Sequence, residues 1–309
     1  MPMKAKSITP LLLLALIWGN YFIASNKALE QMSSFTVGII IRFITMILLT
    51  IILIGKGKLG TLLQVKGELY RLLLIGLMGF LLDFTAFVGL QVSTTVGTGT
   101  ALLKTDILFV NLISMIIYKQ KFTKKEWLFT FVMLFGVLLV IGIHFGDFSP
   151  GDPGAIFFIL SALFVSINAF LIKGAQRSKV NPISNDVIAF YNNFVTMCLF
   201  AMAACAMDTI GELALFGAFS TLTAALLLAG LGQTLIYVVY YYDLAKFPVW
   251  IVKIFLLFMP VVATIGSYLF FREAITLRQG IGMIIVLVGA CGILVTQRKK
   301  EVAALSEQM

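Results

Sequence analysis

Charge is scarce in this chain. Only 12% of its 309 residues are Asp, Glu, Lys or Arg, about half the share found in a soluble domain of this size. Histidine is scarcer still, with His144 alone, at an apolar run's end where a solvated surface role is expected rather than a proton relay. The three cysteines, Cys198, Cys205 and Cys291, lie in apolar segments with no CxxC or metal-ligand spacing, so they read as inert core thiols. There is no P-loop, no nucleophile–base pairing and no cluster of metal ligands, so enzyme chemistry finds nothing to work with. The expectation is therefore no catalytic residue, no cofactor and no metal.

What is present is apolar. Hydrophobic residues make up 60% of the chain and its mean hydropathy is +1.03. Ten segments are long enough to cross roughly 30 Å of hydrocarbon as helices, at about 20 residues each. They run at about 9–29, 35–54, 72–92, 97–118, 127–143, 155–172, 183–207, 219–242, 247–271 and 277–295. That leaves short loops and no soluble domain. The first segment lacks a small-residue cleavage site and further spans follow it, so it does not read as a cleaved signal.

The net charge of +9 invites a nucleic-acid reading, but its distribution argues against one. On the ten-span count, 17 of the 23 Lys and Arg fall on one side, 3 on the other and 3 within spans. That is the positive-inside bias. It predicts a multi-pass protein of the cell (inner or plasma) membrane with both termini cytoplasmic, lipid and a small molecule as partners, and no nucleic acid. No dimerisation motif stands out, so a monomer and a homodimer both remain open.

The sequence also repeats itself. Phe122-Thr123 followed by Gly136 matches Ile275-Thr276 followed by Gly289 at an offset of 153. In that register Pro260 faces Ile107 and Glu273 faces Gln120. The stretch around His144–Gly154, with two Asp, two Pro and no Lys or Arg, divides the chain into residues 1–145 and 146–309, each with five spans. An odd number of spans per half gives the halves opposite topology, from which alternating access is commonly built.

Particular motifs carry a resemblance. The last part of the chain has an aromatic turn at Tyr237–Asp243, a mid-span Pro260, an exit at Glu273, then Thr276 and a helix with Gly280, Gly282 and Gly289. Leu16-Ile17-Trp18-Gly19-Asn20-Tyr21-Phe22 and Ile41-Arg42-Phe43 lie in the first two spans. In this order and spacing they resemble the EamA-type members of the drug/metabolite transporter superfamily. The resemblance implies an all-α membrane protein of ten helices in two inverted five-helix repeats, with a substrate cavity between the halves. It also implies basic residues in the later helices, as in relatives that carry organophosphates and sugar nucleotides.

Five charges fall well inside spans: Arg42, Asp83, Lys104, Asp106 and Lys253. Facing lipid, each would cost on the order of 2.5–3.5 kcal/mol, so each is expected to face protein or water. One reading makes four of them structural ion pairs, for example Asp83 with Lys104 and Arg42 with Asp106. On a regular helix Asp106 lies about 200° around from Lys104 and cannot join it. Lys253 either snorkels toward the cytoplasmic face, sheds its proton on burial, or anchors a substrate. Lys104 and Lys253 sit in matching spans of the two halves, where a pair of cations would suit a phosphate or carboxylate.

Other polar residues complete the candidate site. Gln233, Tyr237 and Tyr241 recur at i, i+4, i+8 on one helical face, able to hold a ring or sugar. The alternative for tyrosine is the membrane interface, which suits 240–242 better. Asn20 and Asn168 are either ligand contacts or helix–helix hydrogen-bond partners. If protons are coupled, Asp83 or Asp106 is the carrier. Three buried cations against two anions favour a small anionic or zwitterionic metabolite, such as an amino acid or a phosphorylated or carboxylated compound. The alternative is export of a cationic or aromatic drug-like solute with Asp83 as its anchor; a non-transporting scaffold is a third reading.

Overall fold

A chain this apolar satisfies its backbone polar groups within each segment, and only helices or closed barrels do that in hydrocarbon. In the computed structural model, which describes residues 9–93, 95–118, 123–141, 152–217, 220–246 and 249–306, every regular element among the described residues is a helix. The α-helices are α1 (Thr9–Leu29), α2 (Ser34–Gly55), α3 (Leu69–Val92), α4 (Val96–Leu102), α5 (Asp106–Tyr118) and α6 (Lys124–Ile141). They are followed by α7 (Ala155–Gln176), α8 (Asn185–Ala206), α9 (Thr221–Lys246), α10 (Val249–Leu256), α11 (Met259–Phe271) and α12 (Leu277–Ser306). Short 3₁₀ turns occupy Leu59–Leu63, Leu103–Thr105 and Ile210–Leu215.

By length and composition, eight helical segments are able to cross a membrane, with Met259–Phe271 as a shorter apolar helix. Two expected spans account for the difference from ten. The helix beginning near 127 starts earlier, at Lys124, and takes Lys124, Lys125 and Glu126 into its 18 residues. The run at 247–271 is not one helix but two, α10 and α11, with a turn at Leu257 and Phe258.

That break has a covalent cause. Pro260 has no N–H to return to the Leu256 carbonyl, and its ring crowds that oxygen, so the helix stops there and restarts with Pro260 in its first turn. The expected span at 97–118 is also interrupted, by the 3₁₀ turn at Leu103–Thr105. No proline is involved. Instead the hydroxyls of Thr98, Thr100 and Thr105 donate to the carbonyls of Thr95, Gly97 and Leu102, three residues back, offering the backbone a tighter alternative to α-helix. Shifted by 153, Leu103–Thr105 lands on 256–258, so both halves are interrupted at the same register.

Packing follows the repeat as well. α1 lies on α9 and α3 on α7; α3 lies on α8 and α2 on α9; α2 lies on α8, α4 on α11 and α6 on α12. Exchanging each element with its counterpart 153 residues away swaps α1–α9 with α7–α3 and α3–α8 with α9–α2, and leaves α2–α8 and α6–α12 in place. The contact of α4 on α11 is the exception, since α10 does not pack along α5 to the same extent. The repeated glycines show why at atomic scale. A Cβ on Gly136 would lie 2.7 Å from the Val286 nitrogen, and one on Gly289 would lie 2.8 Å from the Met133 nitrogen. Val286 is Met133 plus 153, so the two close approaches are counterparts under the repeat. The motif residues Phe122 and Gln120, the mid-chain stretch 142–151 with His144, and the start of the expected ninth span at Phe247 lie outside the described residues.

Candidate functional site

The two interrupted helices meet other elements around a cavity of about 90 Å³. Its polar lining comes from Arg42 on α2, Asp83 on α3, Lys104 in the 3₁₀ turn, Asp106 on α5 and Lys253 on α10. All five side chains expected to avoid lipid therefore converge on one space drawn from both halves. Trp18, Tyr21 and Phe22 of α1, with Tyr237, Tyr240 and Tyr241 of α9, form an aromatic wall. Gln233, Asn168 and Asn192 add amides, and Met259 closes the side near the α10–α11 break.

The charges pair differently from the pairing suggested by the spans. Arg42, 2% exposed, bridges to Asp83. Its other Nη donates to Asn193 Oδ1 at 2.8 Å and to the Tyr237 hydroxyl at 2.7 Å. Asn193 is itself fixed by donating to the Ala189 carbonyl. A planar guanidinium with several donors suits this framed role. The expected partner Asp106 instead receives Lys253, which reaches from α10 to the first turn of α5. Lys253 therefore does not snorkel outward, and Asp83 does not pair with Lys104. The pairing misread has a simple source: span positions give depth, whereas partners depend on how helices rotate and cross.

Lys104 is left over. It is 6% exposed, and among the described residues its ammonium has no carboxylate within ion-pair distance; its nearest recorded partner is Met259 Sδ at 3.9 Å. It remains within electrostatic range of both Asp106 and Lys253, and all three line the cavity. With all five groups ionised the cavity carries one net positive charge.

Among the described residues, the buried lining oxygens without hydrogen-bond partners include Asp106 Oδ1 and Asn168 Oδ1. A buried polar atom left alone costs about 1–3 kcal/mol, so such atoms ask for an explanation. The stripe expected on α9 is present, since Gln233, Tyr237 and Tyr241 all line the cavity. Tyr240, assigned to the interface from its position, lines it too, while Tyr242 is 43% exposed.

Asn20 departs from expectation. It lies on the exposed face of α1, outside the cavity lining, and its amide donates to the Leu16 carbonyl of its own helix at 2.8 Å. Its neighbours Trp18, Tyr21 and Phe22 are the α1 residues that line the cavity; the motif located the correct turn but the wrong face. Met259 was also missed, and its nearness to Pro260 was the available signal, since a mid-span proline marks where a discontinuous helix exposes its ends.

Comparison with known proteins agrees with this architecture. The chain is 25% identical over 228 residues to the uncharacterized transporter YdfC of Bacillus subtilis (strain 168), an alignment spanning 72% of this chain and 71% of that protein. A crystal structure of another protein, 15% identical, matches 96% of this chain and 100% of its own with a TM-score of 0.66, a likeness of fold. The model of the EamA-like transporter family matches twice, over residues 6–142 and 152–295, once in each repeat. With both halves matched, this multi-pass helical chain belongs to the EamA-like transporter family.

Proposed function

We propose that the chain is a secondary transporter of a small anionic or zwitterionic metabolite, worked by alternating access of two inverted five-helix halves. The observation that carries this reading is Lys104, a buried cation lining the cavity with no carboxylate within ion-pair distance among the described residues. A desolvated charge without a partner is unfavourable, and an incoming carboxylate or phosphate group relieves it. The unsatisfied oxygens of Asp106 and Asn168 suit a hydroxyl or ammonium group on the same molecule, and the aromatic wall suits its apolar part.

Ten crossings are part of this proposal. α10 and α11 in series run from Val249 to Phe271, about 34 Å at 1.5 Å per residue, and α6 is apolar from Trp127 onward. In this arrangement the basic loops and both termini are cytoplasmic and the protein sits in the cell membrane. The competing reading, export of a cationic solute anchored on Asp83, is weakened because Arg42 already engages that carboxylate.

A thermal-shift screen of the purified protein in detergent against organic anions, amino acids and organic cations tests the choice. A ligand at a hundredfold excess over its dissociation constant adds roughly 2.7 kcal/mol of stability. The expected result is a stabilising anion or zwitterion whose effect is lost in Lys104→Gln. Stabilisation by cations alone, lost in Asp83→Asn, overturns the reading.

A further inference from the structure

The two buried ion pairs are built differently. Arg42 is held by Asp83, Asn193 and Tyr237 together, so its removal would disturb three helices. Asp106 is held through one oxygen by Lys253, and its other oxygen has no hydrogen-bond partner among the described residues. Its own backbone carbonyl accepts from Ser166 on α7 at 2.9 Å, which fixes the main chain while leaving the carboxylate on a single tether. On one side of that carboxylate is Lys253; Lys104 lies within electrostatic range of both. Tyr240 on α9 is a further ionisable group close to Lys253 and Asp106. All four line the cavity.

Two cations and one loosely held carboxylate describe an anion subsite whose occupant belongs to the protein. We propose that Asp106 is an internal competitor: in the empty cavity its carboxylate occupies Lys253, and the anionic group of a substrate takes its place between Lys253 and Lys104. This rests on the anionic-substrate reading above and goes beyond it by assigning Asp106 as the residue that sets how tightly an anion is held. A resident carboxylate offsets the desolvation of Lys253 in the empty protein, whereas Lys104 has none within ion-pair distance among the described residues. The resident carboxylate also weakens binding of any anion by the free energy of the pair that anion must break. The pair joins α10 to α5, from opposite halves, so the exchange occurs where the halves meet.

Titration calorimetry of the purified full-length protein with sodium benzoate, and separately with inorganic phosphate, tests this. Asp106→Asn is expected to bind at least one of these anions about tenfold or more tightly than wild type, and Asp106→Asn/Lys253→Gln is expected to lose the gain. An Asp106→Asn protein that binds neither anion more tightly than wild type overturns the proposal. Lys104→Gln in the otherwise wild-type chain separates the two ideas. If it leaves anion binding unchanged while Asp106→Asn still shows the gain, the reading built on Lys104 fails alone.

Asp106→Asn strands the Lys253 charge, and the single variant then needs its own control. If it does not survive purification in chloride buffer, recovery by benzoate or phosphate, with the double variant stable in either buffer, supports the proposal. Failure of both anions to recover it while the double variant folds overturns it. Loss of both variants under every condition assigns Asp106 a purely structural role and overturns it too.

Discussion

Arg42 and Lys104 are both buried cations of the same cavity, and their substitution should have opposite effects on stability. Arg42→Gln removes the partner of Asp83 and leaves Asn193 Oδ1 without its guanidinium donor. Breaking a buried pair from one side costs about 3–5 kcal/mol, so the melting midpoint in detergent should fall steeply. Lys104→Met removes a charge with no carboxylate in ion-pair distance among the described residues. It should stabilise the empty protein by on the order of 1 kcal/mol, raising its melting midpoint, while abolishing stabilisation by anions. A fall for Lys104→Met would mean that this ammonium is already satisfied. The contrast also shows where residue-level reading of the sequence stops. That all five charges avoid lipid follows from transfer free energy, a property of each residue alone. That Arg42 meets Asp83 and Lys253 meets Asp106 does not, because helices that begin at the same depth still differ in rotation and tilt.

At the scale of elements, the repeat explains two otherwise separate features. Both halves are interrupted at the same register, by threonine back-bonding at Leu103–Thr105 in one and by Pro260 in the other. Discontinuous helices in corresponding positions expose backbone ends at the midplane, where transporters bind substrate, and Lys104, Asp106, Lys253 and Met259 all lie at these two breaks. The proline was legible in the sequence; the threonine break was not, because threonine sits in unbroken membrane helices as well. The second feature is the glycine contact between α6 and α12. Gly136→Val and Gly289→Val place methyl groups against backbone that has no room to move, and overpacking of this kind costs about 1–3 kcal/mol. Because the two contacts are equivalent, thermal midpoints of the two variants should fall by similar amounts. A large difference between them would show that the helix pair is not arranged symmetrically.

For the whole molecule, the decisive arrangement is the exchange of the long helices between halves, with α1 on α9 mirrored by α7 on α3. If the halves are inverted across a membrane, Lys56 and Glu212 fall on opposite faces. In a background with Cys198, Cys205 and Cys291 replaced by Ala, a membrane-impermeant maleimide applied to intact cells should label Glu212→Cys and spare Lys56→Cys. Permeabilisation should expose both. Labelling of both in intact cells, or of Lys56→Cys alone, contradicts the orientation drawn from the basic loops. The contacts that hold these faces join the two halves: Glu212 accepts from the Ser33 nitrogen at 2.7 Å, and Lys56 pairs with Asp186 at 2.9 Å. Both ends of the molecule are therefore bridged between halves in this conformation.

Sequence alone determined that this is an all-helical membrane protein built from a repeat, and that its few interior charges gather away from lipid. Those outcomes follow from hydrocarbon thickness, backbone satisfaction and residue transfer free energies, which act locally and add along the chain. It also identified Gln233, Tyr237 and Tyr241 as one stripe, because a shared face follows from helical periodicity. Only the tertiary structure decided that Asn20 points away from the cavity, which charges pair, and that Lys104 has no carboxylate within ion-pair distance among the described residues. Each of those depends on where one helix sits against another to within a few ångströms. That placement is set by close packing, such as the α6–α12 glycine contact, and by two breaks that redirect the chain at its centre.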